Sequence, residues 1–177
     1  MGGYESIKRV CSFYVSSMHL VTMVIPYIKK QLDLDIGVST FFEYNLKENA
    51  KELLSKMMLG DQDKSLVLEV DWDSKSSYKF SNVEKEVKEN LSNLKELNIL
   101  ITGSNQYITA ANEHLENFFA KNMKKIEGKY ITIINCYEVT QFNDNIKEIL
   151  REHELILNTS GIHSIFDVFE GYSKEVV

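Results

Sequence analysis

The sequence is poor in the residues that usually announce a chemistry. Cys11 and Cys136 are the two cysteines in 177 residues. They are too few and too far apart for a disulfide framework or a zinc knuckle, and read as free thiols in a reducing compartment. One proline and eight glycines leave no linker to divide the chain, so residues 1–177 are expected to form one domain with its own core. Positive charge is short, with 20 Lys and Arg against 26 Asp and Glu for a net charge of −6. That balance excludes a non-specific nucleic-acid binder, and no direct nucleic-acid partner is expected. Long hydrophobic runs are missing too. The longest, 18–28, is interrupted by His19, Thr22 and Pro26 and falls short of the ~20 residues of a membrane span. No basic leader precedes an apolar stretch at the N-terminus. A cytoplasmic protein with no membrane partner is the expectation.

What is present is alternation. Hydrophobic residues make up 44% and charged residues 26%, as in ordinary globular domains. Short β-branched or aromatic runs at 9–14, 36–42, 65–70, 98–102, 130–136 and 155–157 read as strands. Helical periodicity separates them at about 17–32, 46–58, 81–94, 106–123 and 143–151. The strand runs are almost continuously apolar, which suits strands covered on both faces. The pattern predicts an α/β fold: three layers, with a mostly parallel central sheet of five or six strands flanked by helices. Residues 1–7 are expected to be flexible. The tail 162–177 holds Ile165, Phe166 and Phe169 at helical spacing, fitting a closing core helix or one that meets a partner.

Open parallel sheets bind ligands beyond the carboxyl ends of their strands, so the turns there carry the candidates. The first, Tyr14 to His19, contains neither the glycines nor the Lys-Ser/Thr of a phosphate-cradling loop. No nucleotide cofactor is therefore expected. Aromatics recur at the predicted strand ends: Tyr14, Phe42, Tyr44, Trp72, Tyr107 and Tyr137. They either line a ligand pocket or plug the top of the sheet. Glu43, Asp71, Asp73 and Glu138 stand in the same turns as candidate acids, bases or metal ligands, although turn carboxylates are ordinarily solvated. The histidines His19, His114, His153 and His163 show no metal-ligand spacing. His19 and His153 read as a helix-start and a helix-end residue. A Cys136–His19 dyad is conceivable but needs a partner to lower the thiol pKa. The turn Gly103-Ser104-Asn105 is no nucleophile elbow, so Ser104 is a ligand-contact candidate only.

The most specific stretch is 133–142, Ile-Ile-Asn-Cys-Tyr-Glu-Val-Thr-Gln-Phe, followed by 149–157. It resembles the closing motif of the MEDS domain, a family named for methanogens, methylotrophs and a dichloromethane-responsive repressor. Cys136 and Phe142 match the pattern in kind, while Glu154 stands where the family has proline. Cys11 to Tyr14, the helix ending Ile25 to Ile28, and the aromatic step Tyr78-Lys79-Phe80 are similar as well. The resemblance implies a RecA-like core without its P-loop that senses small ligands in transcriptional or two-component signalling. No output module is expected after Gly161.

Together these readings predict a non-enzymatic sensory domain. Its ligand, or a regulatory protein partner, is expected at the carboxyl edge on Tyr14, His19, Phe42, Glu43, Asp71, Trp72, Ser104, Cys136 and Tyr137. Homodimerisation is compatible with it. On that reading Trp72→Ala and Tyr137→Ala weaken binding with little loss of stability. The alternatives are a small enzyme using Cys136 or the turn carboxylates, and a residual nucleotide binder.

Overall fold

The computed structural model describes residues 7–76 and 79–169. Expectations for 1–6, Tyr78 and 170–177 lie outside them. Strand β1 (Ile7–Tyr14) leads into α1 (Ser17–Asp33), β2 (Gly37–Phe42), α2 (Lys47–Lys56), α3 (Asp61–Leu68) and α4 (Phe80–Asn93). Then follow β3 (Glu96–Thr102), α5 (Asn105–Lys121), α6 (Met123–Ile126), β4 (Tyr130–Glu138) and α7 (Val139–Phe142). A 3-10 turn (Asn143–Asn145) precedes α8 (Ile146–Glu152), β5 (Leu155–Asn158), β6 (Gly161–Ser164) and α9 (Ile165–Val168). The sheet runs β2-β3-β4-β1-β5-β6, parallel throughout except for β6, which pairs antiparallel with β5. The predicted α/β class and the six-stranded, mostly parallel sheet are what forms.

Period-two alternation divides the core between the two faces of the sheet. Val10, Tyr14, Phe42, Leu100, Ile134 and Cys136 pack against α1, α2 and α3. Cys11, Phe41, Ile99, Ile101, Ile133 and Tyr137 pack against α4 to α9 on the other side. Each face is thus dry, which is why β1, β3 and β4 read as unbroken apolar runs.

Two elements differ from the sequence reading. The run 65–70 is no strand; it falls in and just after α3, whose acidic first turn, Asp61 and Asp63, complements the positive helix end. Only Val67 and Val70 of that run are buried, so six apolar-rich residues sufficed to mimic a strand without a sheet position to fill. The sixth strand comes instead from the expected tail helix. Thr159 and Ser160 form a two-residue turn between Asn158 and Gly161, with Asn158 Oδ1 accepting from the Ser160 amide at 2.9 Å. Gly161 takes a φ of +113°, open to glycine and costly for other residues. Helix starts also shift: the second half of the predicted 143–151 helix is α8, while 143–145 is a tighter turn.

Candidate functional site

The carboxyl edge is sealed by its own side chains. At the β1–α1 turn, Ser16 Oγ accepts from the His19 amide at 3.1 Å, and His19 Nδ1 accepts from the Val15 amide at 3.1 Å. The free amides that make a helix N-terminus an anion site are consumed there. At the β3–α5 turn, Glu43 Oε2 accepts from the Ser104 amide at 2.5 Å, and Ser104 Oγ caps the Tyr107 amide at 3.3 Å. A carboxylate on a helix N-terminus is favoured by the dipole, so Glu43 sits where an anionic ligand would. Gly103 permits this: a Cβ there would lie 2.5 Å from Glu43 Oε2 and 2.8 Å from Tyr107 Cδ1.

The predicted aromatic rim is a plug. Tyr14 is 5% exposed, Phe42 2%, Trp72 1% and Tyr137 7%. The Tyr14 hydroxyl bonds Thr102 Oγ1 at 3.0 Å, and Thr102 Oγ1 donates to the Cys136 carbonyl at 3.1 Å. Trp72 stacks on Phe42 with centroids 5.9 Å apart and donates Nε1–H to the Val67 carbonyl at 3.0 Å. Because 65–70 is not a strand, Asp71 and Trp72 do not end one; their segment lies against β2, where Thr40 Oγ1 donates to the Asp71 carbonyl at 2.6 Å. Asp71 pairs with the buried Lys75 at 2.9 Å, a lysine the sequence reading passed over. Tyr137 is on the opposite face from Tyr14, Phe42, Trp72 and Cys136, so these residues do not share one cleft. Glu138 accepts from the Thr140 amide and hydroxyl. Among the described residues no group of three His, Cys, Asp or Glu could hold a metal ion. No described helix is long and apolar enough to cross a membrane.

Both thiols are buried, and desolvation pushes Cys11 and Cys136 up to about 12. A buried protonated thiol is a poor nucleophile, which counts against the Cys136–His19 dyad. Neither thiol is expected to react with DTNB at pH 8 while the chain is folded, and both should react in guanidinium. Rapid labelling of Cys136 in the native protein would reinstate the dyad. The sign of the linkage is also fixed. Thiols that ionise near 9 when unfolded but near 12 when folded leave stability intact below pH 9 and withdraw it as pH rises above that.

The main concave feature lies elsewhere, a groove of about 460 Å3 on the face opposite α1. One wall is a stripe of α5, Asn105, Ile108, Asn112 and Glu116; the other is a stripe of α8 and its approach, Asn145, Glu148, Ile149 and Glu152. Both stripes recur every three or four residues, as one helix face must. Arg9, Asn135 and Tyr137 come up from the sheet, from the β1 and β4 positions that point to that face.

A chain of polar contacts crosses its floor. Arg9 donates from Nη2 to Glu116 Oε1 and from Nη1 to Asn112 Oδ1, both at 2.9 Å. Asn112 Nδ2 donates to Asn135 Oδ1 at 2.9 Å, and Asn135 Nδ2 meets His153 Nε2 at 3.4 Å. His153 Nδ1 lies 2.7 Å from the Ile149 carbonyl, which can only accept, so Nδ1 bears the proton and Nε2 faces the Asn135 amide as an acceptor. Arg9, an obligate donor, orients both amides. Asn135 is 3% and His153 4% exposed, so His153 is no surface helix-end residue as its position suggested. One signal was available in the sequence: Asn135 interrupts the Ile131, Ile133, Tyr137 register of a buried strand. Arg9, Asn112 and His153 carried none, because only packing brings them to it.

No protein-family profile matches the chain, and no curated protein matches it. Among solved structures it is similar to the ATPase domain of a RecA-like helicase, at 14% identity and a TM-score of 0.49, over 87% of this chain and 69% of that one.

Proposed function

We propose that the protein is a non-enzymatic sensory domain that takes a small polar molecule in the groove between α5 and α8. The observation that supports this reading is the Arg9–Asn112–Asn135–His153 chain beneath the groove. A buried polar array costs desolvation that well-packed apolar residues would avoid, and its directed donors and acceptors suit recognition of a polar ligand within apolar walls. The MEDS resemblance fits a sensory role. It is the place of the ligand that moves, from the sealed carboxyl edge to the helix groove.

The amide NMR spectrum of the full chain, titrated with a set of amino acids, amines, sugars and carboxylic acids, tests this. Saturable shifts are expected at 105–116, 135–137 and 142–153. Shifts at 14–19 and 43–46 instead, or micromolar binding of magnesium-ATP, would overturn the reading in favour of the edge site or a nucleotide.

A further inference from the structure

Resting on the groove reading, we infer that the ligand is a small organic cation, an ammonium group carried on a short apolar body. The first observation is Tyr137. It is 7% exposed and lines the groove, and its ring is held edge-on by Phe142, with centroids 4.9 Å apart at 76°, and by His153, at 6.2 Å and 80°. Its hydroxyl has no hydrogen-bond partner among the described residues. The hydroxyls of Tyr14, Tyr27 and Tyr107 are each bonded, at 3.0, 2.7 and 2.6 Å. Buried hydroxyls normally find partners, so an oxygen left open in a cavity wall is one a ligand completes. Burial holds the phenol protonated, its ionisation raised well above the ordinary tyrosine range, and its oxygen accepts from a cationic N–H.

The second observation is charge. Glu113 and Glu116 on one wall face Glu148 and Glu152 on the other, and Arg9 is the one Lys or Arg among the lining residues. Arg9 is held by Glu116 at 2.9 Å, while Glu113, Glu148 and Glu152 enter no ion pair among the described residues. Such a field attracts a cation and repels phosphates and carboxylates. Ile108, Phe142 and Ile149 supply the apolar surface for the body of the ligand, and the Tyr137 and Phe142 rings can face its charge.

Three probes sharing one body separate charge from shape: 2-phenylethylamine, 2-phenylethanol and 3-phenylpropionate, each titrated into the full chain by amide NMR. The amine is expected to shift the groove amides saturably and the other two far less. Tyr137→Phe and Glu152→Gln should each weaken the amine about tenfold, the size of one charge-assisted hydrogen bond. Tyr137→Phe should leave the melting temperature unchanged, since that hydroxyl has no partner to lose. Equal or tighter binding of the alcohol or the carboxylate in the groove would overturn the cation while leaving the groove reading in place. So would amine binding indifferent to both substitutions. If none of the three probes moves the groove amides while the broader set does, the cation alone falls; if neither does, the groove reading falls with it.

Discussion

Trp72→Ala is expected to cost about 3–5 kcal/mol of folding stability, the range for emptying a large buried aromatic site. The indole is 1% exposed, stacks on Phe42 and bonds the Val67 carbonyl. Its own carbonyl accepts from the Leu46 amide at 2.9 Å, so the residue joins the 67–75 segment to the start of α2. Truncation opens a cavity between β2 and α3 and orphans a buried carbonyl together. For a chain of this length the loss corresponds to about 10 °C or more in melting temperature. Urea denaturation measures it directly. A loss under about 1 kcal/mol would mean that the indole sits on a rim, as the sequence alone suggested, and is not a plug.

Asn135→Ala carries the second large effect. It removes the acceptor for Asn112 Nδ2 and the amide that meets His153. Leaving a buried donor without its partner costs about 1–3 kcal/mol, to which the vacated volume beside Ile133 and Tyr137 adds. The chain is coupled, so the costs should not add. Asn112→Ala already disconnects Arg9 from Asn135, and the double variant is expected to fall short of the sum of the two by at least about 1 kcal/mol. A double-mutant cycle in urea reads that difference. Additive losses would mean that Asn112 and Asn135 act independently and that the floor of the groove is no network.

Much of the fold was legible because it rests on local rules. The runs at β1, β2, β3 and β4 are β-branched and apolar, bounded by caps such as Ser16 and Ser104, whose hydroxyls do accept from the first-turn amides. The run 65–70 satisfied the same composition rule and became α3, since the hydrophobicity of six residues does not distinguish a strand from a short helix. The β5–β6 hairpin was masked by Ile165, Phe166 and Phe169, whose helical spacing is realised only in the single turn of α9.

The site divides along the same line. The sequence by itself determined the layered α/β class, the net negative charge and the lack of a phosphate loop after β1, because each depends on residue type, short-range order or spacing. The tertiary structure alone decided that the carboxyl-edge aromatics face inward, that Glu43 reaches across to cap α5, and that Tyr137 belongs to the other face. It alone joined Arg9, Asn112, Asn135 and His153, the first two 103 residues apart, into one polar chain. The physical reason is that a side chain's burial and partners are set by which strands lie side by side and which helices cross over them. In a sheet ordered β2-β3-β4-β1-β5-β6, neighbours in space are seldom neighbours in the chain.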